Sequence, residues 1–242
     1  MEFARTTEVV LRHLPPPPAR VADIGGGPGR YTLWLAGQGY EVAHRDPVAL
    51  HVEQVSAAAR GGSGVDAAVG DARALDLGDR SVDAVLLLGP LYHLRRRADR
   101  LLALREAARV AVPGGPVFVS AISRWAPRLH GGLVERLGDR YPTIPAQLRR
   151  VERTGVLEPL FPASFAGYCH TPRGLRSEIR AAGLELVDLV SLEGIAFALS
   201  DLERRMADPA SRELVLETAR AVERVPELLG IGPHLLATAR RP

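Results

Sequence analysis

The segment VADIGGGPGRYTLWLA, residues 21–36, places an aspartate and a glycine-rich turn between an apolar run and a helix-like one. Asp23 stands two residues before Gly25, the first glycine of the turn. Glycine between two elements permits a tight turn or the close approach of a ligand to the backbone. Because a carboxylate here attracts a cationic amino group and repels a pyrophosphate, the turn favours a ligand with an ammonium group, a ribose and no phosphate.

The turn departs from the dinucleotide fingerprint G-x-G-x-x-G, in which the last glycine lets the helix pack closely on the sheet. Counted from Gly25, that last glycine falls on Arg30. Together with the acidic Asp23, this departure disfavours a nicotinamide-dependent dehydrogenase.

The elements that must position this turn alternate between strands and helices. Strands are predicted at residues 21–24, 40–43 (ending near Asp46), 65–69, 82–88, 117–122, 184–189 and 234–239. Helices are predicted at residues 31–37, 48–60, 98–112 and 211–224, and from the Thr171-Pro172 cap to Gly183. This alternation predicts an α/β fold, with a Rossmann-like, seven-stranded, mostly parallel sheet and helices on both faces.

Residues 124–170 interrupt the alternation. They hold five of the twelve aromatic residues: Trp125, Tyr141, Phe161, Phe165 and Tyr168. Because an exposed insertion of this apolar content would aggregate, we expect it to fold as a lid over the carboxyl ends of the strands, beside Gly89–His93. Packing into the core is the alternative interpretation of these aromatics.

The composition is typical of a globular protein with a sizeable core. Apolar residues make up 46% and charged residues 24% of the 242 residues. No stretch approaches the roughly 18 apolar residues of a membrane span. The N-terminus does not resemble a signal peptide, and the single cysteine, Cys169, excludes an internal disulfide. These features predict a cytoplasmic protein without a membrane partner.

Every basic side chain is an arginine, and the net charge is only +3. Two clusters stand out, Arg95-Arg96-Arg97 with Arg100 and Arg149-Arg150 with Arg153. Each is interpreted as a solvated helix face, with a contact to nucleic acid or phosphate as the alternative.

Four segments resemble motifs of the class I S-adenosylmethionine-dependent methyltransferases, in the order found in that family. They are VADIGGGPGRYTLWLAGQGYEV, GDARALDL, VDAVLLLGPLYHL and RVAVPGGPVFVSAIS. The segments DPVALHVEQ, GPLYHL, LEG and GPHLLAT are similar to those of a bacterial subgroup with small-molecule substrates. The resemblance implies S-adenosylmethionine as cofactor and S-adenosylhomocysteine as product.

The resemblance covers nearly the whole chain and implies a single methyltransferase domain, residues 1–242. Its expected parts are an N-terminal helix and proline linker (1–18), a cofactor-binding core (19–123), the lid (124–170) and the C-terminal part of the sheet (171–242).

The resemblance implies specific roles for the residues of the glycine turn. Gly25, Gly27 and Gly29 are expected to let the backbone approach the methionine part of the cofactor. Asp23 is expected to support the amino group of that part. A helix cap is the alternative role for Asp23.

The resemblance also implies roles for residues that follow the later strands. Asp46 is expected to accept hydrogen bonds from both ribose hydroxyls, which requires a carboxylate with two free oxygens. Asp71 is expected to contact the adenine amino group, with Ala72 supplying a backbone amide. Leu88 and Gly89 are expected to border the methionine part and the substrate. Turn initiation is the alternative role for Asp46 and Asp71.

Methyl transfer requires alignment of nucleophile, methyl carbon and sulfur, and it requires a base only when the nucleophile loses a proton. Tyr92 and His93 follow the fourth predicted strand and are the catalytic candidates, with His93 as the base. A structural hydrogen bond is the alternative for His93. Gly89-Pro90-Leu91-Tyr92 differs at two positions from the Asn/Asp-Pro-Pro-Tyr motif of amino-group methyltransferases.

Further polar candidates are His130, His170, His234 and Glu193, each with a structural alternative. The preferred function is methyl transfer to a small, apolar or aromatic molecule by a monomer or homodimer without a metal. Two alternatives stay open: a tRNA or rRNA methyltransferase, whose binding would fall steeply with salt, and a non-catalytic S-adenosylmethionine-binding module.

Overall fold

A computed structural model of the protein describes residues 1–59, 64–159 and 164–242. Its α-helices are α1 (Glu2–Leu11), α2 (Arg30–Gly37), α3 (Ala49–Ala58), α4 (Pro90–His93), α5 (Arg97–Val110), α6 (Ile144–Thr154), α7 (Pro172–Ala181), α8 (Leu202–Ala207) and α9 (Pro209–Val222). Its strands are β1 (Arg20–Ile24), β2 (Glu41–Asp46), β3 (Val65–Val69), β4 (Ala84–Leu87), β5 (Pro116–Ile122), β6 (Val156–Leu157), β7 (Gly167–Tyr168), β8 (Glu185–Ser191) and β9 (His234–Arg240). The other helical segments described are a π-helix (Pro127–Val134) and two 3₁₀ turns (Leu137–Asp139 and Ala196–Ala198).

Seven strands form one sheet in the order β3-β2-β1-β4-β5-β9-β8. Neighbouring strands from β3 to β5 are parallel. β9 runs antiparallel to β5, because Ser123 N–H donates to the Pro233 carbonyl at 2.8 Å whereas Arg241 N–H donates to the Gly115 carbonyl at 3.3 Å. The predicted seven-stranded, mostly parallel α/β sheet is confirmed.

The strand order places β4 beside β1 instead of β3, so the chain changes direction across the sheet at that point. Ligands of open parallel sheets bind outside the carboxyl ends of the strands at such a switch point. All four residues of β4 are buried, as expected for a central strand covered on both faces. The strand predicted at residues 82–88 is confirmed, and it is shorter than predicted, Ala84–Leu87.

Most predicted ends differ from the observed ones by one or two residues, and two of these differences have local reasons. The helix predicted at residues 98–112 ends at Val110, because the residue before Pro113 disfavours helical backbone. The helix predicted at residues 211–224 begins earlier, at Pro209, because Asp208 caps it.

Two predicted features fall partly outside the described residues. The first is the helix predicted at residues 48–60, whose last residue, Arg60, is not described. The second is the predicted lid, of which Phe161 and Pro162 are not described.

The chain divides into two compact units. Unit 1 comprises Met1–Leu11, Ala121–Leu175 and Leu189–Leu236. Unit 2 comprises Arg12–Ser120, Arg176–Asp188 and Ala237–Pro242. Each unit contains a buried ion pair that joins segments distant in sequence.

In unit 2, the fully buried Arg100 of α5 is held by Glu178 of α7. Its Nε donates to Oε2 at 2.9 Å and its Nη2 to Oε1 at 2.7 Å. Nη1 donates to the carbonyls of Leu94 and Arg95 at 2.9 and 2.8 Å. Arg100 therefore belongs neither to a solvated helix face nor to a basic surface patch, while residues 95–97 are exposed.

In unit 1, the fully buried Arg5 of α1 joins the N-terminal helix to later segments. Its guanidinium donates to the Glu223 carboxylate and, at 3.3 Å, to the Leu192 carbonyl. A further hydrogen bond of 2.6 Å runs to Glu8 on the same helix. This network fixes α1 against the rest of unit 1.

The insertion at residues 124–170 lies in unit 1 and has regular structure of its own. It contains the π-helix, α6 and the antiparallel β6-β7 pair. The apolar face of α6 is buried through Ile144, Leu148 and Val151. The arginines of α6 are exposed: Arg149, Arg150 and Arg153. This pattern is that of an amphipathic helix with a solvated basic face.

No helix within the described ranges has the length and apolar character needed to cross a membrane. The same ranges hold no group of three or more His, Cys, Asp or Glu side chains placed to hold a metal ion. Cys169 is a buried free thiol, and burial raises its pKa to about 12.

Replacing Arg100 by methionine should lower the free energy of unfolding by about 3–5 kcal/mol, because the buried Glu178 carboxylate loses its partner. Replacing both Arg100 and Glu178 by methionine should cost less than Arg100→Met alone, since no uncompensated charge stays buried. Urea unfolding of the three proteins measures both effects.

Arg105→Met is the matched control, since Arg105 is an exposed arginine of the same helix. It should change the free energy of unfolding by no more than about 0.5 kcal/mol. Equal losses for Arg100→Met and Arg105→Met would contradict a structural role of the buried pair.

Candidate functional site

A cavity of about 550 Å³ in unit 2 lies at the carboxyl ends of β1, β2 and β4. Its walls come from four separate segments: the glycine turn, the end of β2, the loop after β3, and α4. Eight residues predicted from the sequence line it: Gly25, Gly27, Asp46, Asp71, Ala72, Gly89, Tyr92 and His93. The predicted residues Asp23, Gly29 and Leu88 are not among its lining residues.

The glycine turn packs directly against the start of α4. Gly25 has a φ of +67°, and a Cβ there would lie 2.7 Å from Pro90 Cγ. A Cβ on Gly89 would lie 2.9 Å from the Gly25 carbonyl oxygen. A side chain at residue 89 would therefore push the turn away, which is a packing reason for glycine where amino-group methyltransferases carry asparagine or aspartate.

Gly27 and Gly29 have different surroundings. Gly27 has a φ of +58°, and a Cβ there would meet nothing within 4 Å, so this part of the turn is open to the cavity. A Cβ on Gly29 would lie 2.5 Å from Val55 Cγ2. Gly29 therefore permits close packing between α2 and α3 rather than forming a cavity wall.

Asp23 is buried beneath the turn. Its Oδ2 accepts a 2.6 Å hydrogen bond from Thr32 Oγ1, which is 2.9 Å from His44 Nδ1. A Cβ on Gly26 would lie 2.5 Å from Asp23 Oδ2. The N-cap residue of α2 is Gly29, and the Asp23 carboxylate accepts hydrogen bonds from Thr32 in the first turn of this helix, so the alternative role as a helix cap is compatible with the structure.

The buried Asp23 carboxyl has an altered acidity. Burial raises its pKa to about 6, against the hydrogen bonds from Thr32, which lower it, while the charge of Asp46 raises it further. Within the described part of the chain, Asp23 Oδ1 and His44 Nε2 have no hydrogen-bond partner. Burial also lowers the pKa of His44.

The Asp46 carboxylate, at the end of β2, has several hydrogen-bond partners. Its Oδ2 accepts from Gly27 N–H at 2.9 Å, and its Oδ1 accepts from Val48 N–H at 2.9 Å. His51 Nδ1 also lies 2.9 Å from Oδ1. Both oxygens are therefore engaged, in contrast to the two free oxygens expected from the sequence. Because a carboxylate offers about four acceptor positions, capacity for a further donor remains.

Asp71 makes the turn predicted as its alternative role. Its Oδ1 accepts from Arg73 N–H and Nε at 2.9 Å, and its Oδ2 from Arg73 Nη2 at 2.5 Å. The hydrogen bonds of Arg73 lower the pKa of Asp71. Sequence reasoning missed Arg73 and His51 as cavity residues. The only sequence signal was their short spacing from Asp71 and Asp46.

Tyr92 and His93 lie on α4, immediately after β4 and Gly89. Their ring centroids are 4.9 Å apart. Partial desolvation lowers the pKa of His93, although the charge of Asp46 raises it. The imidazole is therefore predominantly neutral at pH 7, the form that can accept a proton.

The other polar candidates and two lid aromatics lie in unit 1. His234 Nδ1 is 2.6 Å from Glu193 Oε1, and His130 Nδ1 is 3.4 Å from a Glu135 oxygen. The ring of the buried His170 packs edge-on against Tyr168 at 4.7 Å. His130, Glu193, His234 and Phe165 line a second cavity, of about 630 Å³.

Comparison with known proteins identifies a methyltransferase domain in this chain. Residues 22–119 match the methyltransferase domain family. The chain is 36% identical over 112 residues to a malonyl-(acyl-carrier protein) O-methyltransferase of Methylococcus capsulatus, covering 46% of this chain and 40% of that protein. It is 31% identical over 159 residues to an uncharacterized methyltransferase of Mycobacterium bovis, covering 60% and 62%. The chain thus spans less than two thirds of the length of these curated relatives.

A solved structure extends the likeness to the whole chain. A SAM-dependent methyltransferase from Methanosarcina mazei superposes with a TM-score of 0.66 at 18% identity, covering 96% of each chain. This likeness concerns the fold. The domain match and the curated relatives support the predicted family and its cofactor, S-adenosylmethionine: residues 22–119 of the chain form a methyltransferase domain.

Proposed function

We propose that this protein transfers a methyl group from S-adenosylmethionine to a small, apolar or aromatic molecule. The observation that carries the proposal is the cavity of unit 2, where eight residues predicted from separate motifs meet. We also infer a bacterial, cytoplasmic setting from the subgroup-like segments and the single cysteine.

The residues of this cavity fit the cofactor. The open space over Gly27 admits a ligand close to the backbone, and Asp46 retains acceptor capacity for a ribose hydroxyl. Asp71 and the Ala72 amide would contact the adenine, with Arg73 moving aside or stacking on the ring. Asp23, beneath the turn, would act on the ammonium group by charge rather than by direct contact.

The bound cofactor supplies a methyl group on a positively charged sulfur. The substrate's lone pair forms the new bond to the methyl carbon as the carbon–sulfur bond breaks, and that electron pair stays on sulfur in the neutral product. The protein contributes mainly alignment of the reacting atoms. Gly89, which lines the cavity directly after Leu88 at the end of β4, would border the methionine part and the acceptor.

His93 is the proposed base for an acceptor that must lose a proton. Its position in the cavity and its lowered pKa support this role. Tyr92, which packs beside it, would position the acceptor and the imidazole.

The proposed acceptor site is the part of the unit 2 cavity beside Tyr92 and His93, where the acceptor must meet the methyl group. The separate cavity of unit 1, of about 630 Å³, is large enough for a small molecule, and Phe165 of the predicted lid lines it. The lid role of residues 124–170 stays a prediction.

Two measurements test the proposed function. Calorimetry should detect binding of S-adenosylmethionine, and incubation with labelled cofactor and fractionated metabolites should release S-adenosylhomocysteine. Release that requires RNA and falls steeply with salt would favour a nucleic-acid substrate instead. Cofactor binding without turnover on any fraction would favour a non-catalytic module.

Replacing Asp46 by alanine should weaken S-adenosylmethionine binding by about 1.5–3 kcal/mol, the scale of charge-assisted hydrogen bonds. The carboxylate is lost both to the ribose and to the Gly27 amide that it holds. Calorimetry measures the effect, and Glu53→Ala, an exposed change on α3, is the control. Equal affinities for wild type and Asp46→Ala would contradict the ribose assignment.

Replacing Asp23 by asparagine should remove a pH-dependent cost of folding. The folded-state pKa of about 6 lies above the ordinary value of 3.8, so the folded state holds the extra proton between these values. Stability of the wild type therefore falls as pH rises through this window, and the penalty is complete above pH 6. Relative to wild type, Asp23→Asn should gain about 3 kcal/mol between pH 3 and pH 8.

Urea unfolding across this pH range measures the relative gain. Calorimetry at pH 8 should show weaker cofactor binding by the same variant if Asp23 supports the ammonium group. A stability difference that does not vary with pH would contradict the raised pKa.

Replacing His93 by alanine should lower kcat by about 10²–10⁴ while cofactor affinity stays nearly unchanged, because a base acts in the chemical step. The wild-type kcat should rise with pH along a limb below the ordinary histidine pKa, and the variant should lack that limb. A parallel loss of stability and activity would indicate a structural role instead.

A further inference from the structure

Three buried polar side chains meet beneath the glycine turn, and each comes from a different element of unit 2. Asp23 lies on β1, Thr32 in the first turn of α2 and His44 on β2. Asp23 and His44 are paired residues of the two parallel strands. Since none of the three is more than 1% exposed, their polar atoms must find partners within the protein rather than in bulk water.

The Thr32 hydroxyl joins the other two side chains. Its Oγ1 donates to Asp23 Oδ2 at 2.6 Å and lies 2.9 Å from His44 Nδ1. His44 Nδ1 is 4.0 Å from Asp23 Oδ2, which is beyond hydrogen-bond distance. The imidazole therefore acts on the carboxylate through the threonine.

His44 is the neutral member of this network. Burial lowers its pKa most, the charge of Asp46 raises it, and the charges of Arg45 and His51 lower it again. The net change is downward, so the imidazole is predominantly neutral at pH 7 and carries one proton, on either Nδ1 or Nε2. The hydrogen bonds of Thr32 decide between these two nitrogens.

These hydrogen bonds have one possible direction when Asp23 is ionised. A carboxylate only accepts, and a hydroxyl has a single proton to donate, so the Thr32 proton points at Asp23. Oγ1 must then accept from His44, which places the imidazole proton on Nδ1. His44 Nε2, which has no partner among the residues that the structure describes, carries a lone pair. His44 thus holds the Thr32 hydroxyl in the orientation that donates to Asp23.

Thr32 favours the ionised form of Asp23. Burial raises the pKa of this carboxyl to about 6, the side-chain and backbone hydrogen bonds of Thr32 lower it, and the charge of Asp46 raises it. Without the hydroxyl, burial would raise the pKa further. A carboxyl that is neutral at pH 7 would no longer attract a cationic group.

Gly26 connects the network to the turn. A Cβ there would lie 2.5 Å from Asp23 Oδ2 and 2.7 Å from His44 Nδ1, so the backbone lies directly on these two side chains. Gly25 and Gly27, on either side of it, line the cavity of unit 2. The network therefore supports the part of the turn that faces the cavity.

We propose that Thr32 and His44 are positioning residues for S-adenosylmethionine, which hold the Asp23 carboxylate and its charge in place beneath the glycine turn. The inference rests on the proposed function, in which Asp23 acts on the ammonium group of the cofactor. Thr32 supplies the donor, and His44 keeps that donor turned towards the carboxylate. Neither side chain is among the described residues that line the cavity.

Calorimetry from pH 5 to pH 7.5, below the ordinary pKa of an α-amino group, tests the role of Thr32. The probe is S-adenosylhomocysteine, which carries the same ammonium group. Its affinity for the wild type should fall below about pH 6, as Asp23 takes up a proton. Thr32→Val should move this fall upwards by about one pH unit, which makes binding at pH 6 about fivefold weaker than in the wild type. Thr32→Ser, which keeps the hydroxyl, should restore the wild-type profile.

Controls separate this effect from a general distortion of the cavity. In an Asp23→Asn background, Thr32→Val should no longer displace the profile, and Thr218→Val, an exposed change on α9, should never do so. The titrations of His51 and His93, which line the cavity, are common to all these proteins and cancel in the comparison. Methylthioadenosine, which lacks the ammonium group, should bind wild type and Thr32→Val equally at pH 6. An undisplaced profile in Thr32→Val, or equal weakening of both ligands, would overturn the proposal.

Two independent measurements test the role of His44. His44→Leu should displace the profile in the same direction as Thr32→Val, whereas His44→Asn, whose amide can donate from about the position of Nδ1, should displace it less. In nitrogen-15 NMR of the wild type at pH 8, the imidazole whose signals are absent from His44→Asn should carry its proton on Nδ1. A proton on Nε2, or no displacement in His44→Leu, would overturn the role of His44.

Failure of the proposed function gives a different result. No binding of S-adenosylmethionine or S-adenosylhomocysteine at any pH would refute the cofactor site itself. A binding profile that Asp23→Asn leaves unchanged would refute the role of Asp23 and, with it, this inference. Binding that depends on Asp23 but on neither Thr32 nor His44 would leave the proposed function in place and refute the positioning network.

Discussion

Close packing of backbone against backbone, between the glycine turn and the start of α4, is the constraint on which the cavity of unit 2 depends. Gly25 and Gly89 approach so closely that a Cβ on either would clash with the other segment. The approach brings the carboxyl ends of β1 and β4 together at the point where the sheet changes direction. It also places Tyr92 and His93 on the cavity wall, because α4 begins directly after Gly89.

Hydrogen bonds around two aspartates then set the shape and charge of this site. Asp46 binds the Gly27 and Val48 amides, so it holds the turn and the start of α3 together. Asp23 lies in a drier position, where burial raises its pKa to about 6. A buried carboxyl that lowers the stability of the folded state when it ionises is typical of functional positions. The charge that destabilises the folded chain is the charge that would attract a cationic ligand.

Local patterns predicted most of unit 2, because turn chemistry and hydrophobic period act over a few residues. The strand at residues 65–69 has the predicted ends, and the glycine turn lies where its spacing placed it. The glycine most constrained by Asp23 and His44 is Gly26, however, and no motif marked it. The burial of Arg100 could not be predicted either, because its partner Glu178 is 78 residues away.

The distribution of arginines explains why the basic composition says little about ligands. In unit 2, Arg45 binds Asp66 and Asp76, and Arg109 binds Glu106 and Asp79. A planar guanidinium with five donors suits such fixed pairs with carboxylates and carbonyls. Arginines held in this way contribute to the net charge without offering a free cation to a ligand. The electrostatics of each cavity therefore follow from the side chains that line it rather than from the net charge of the chain.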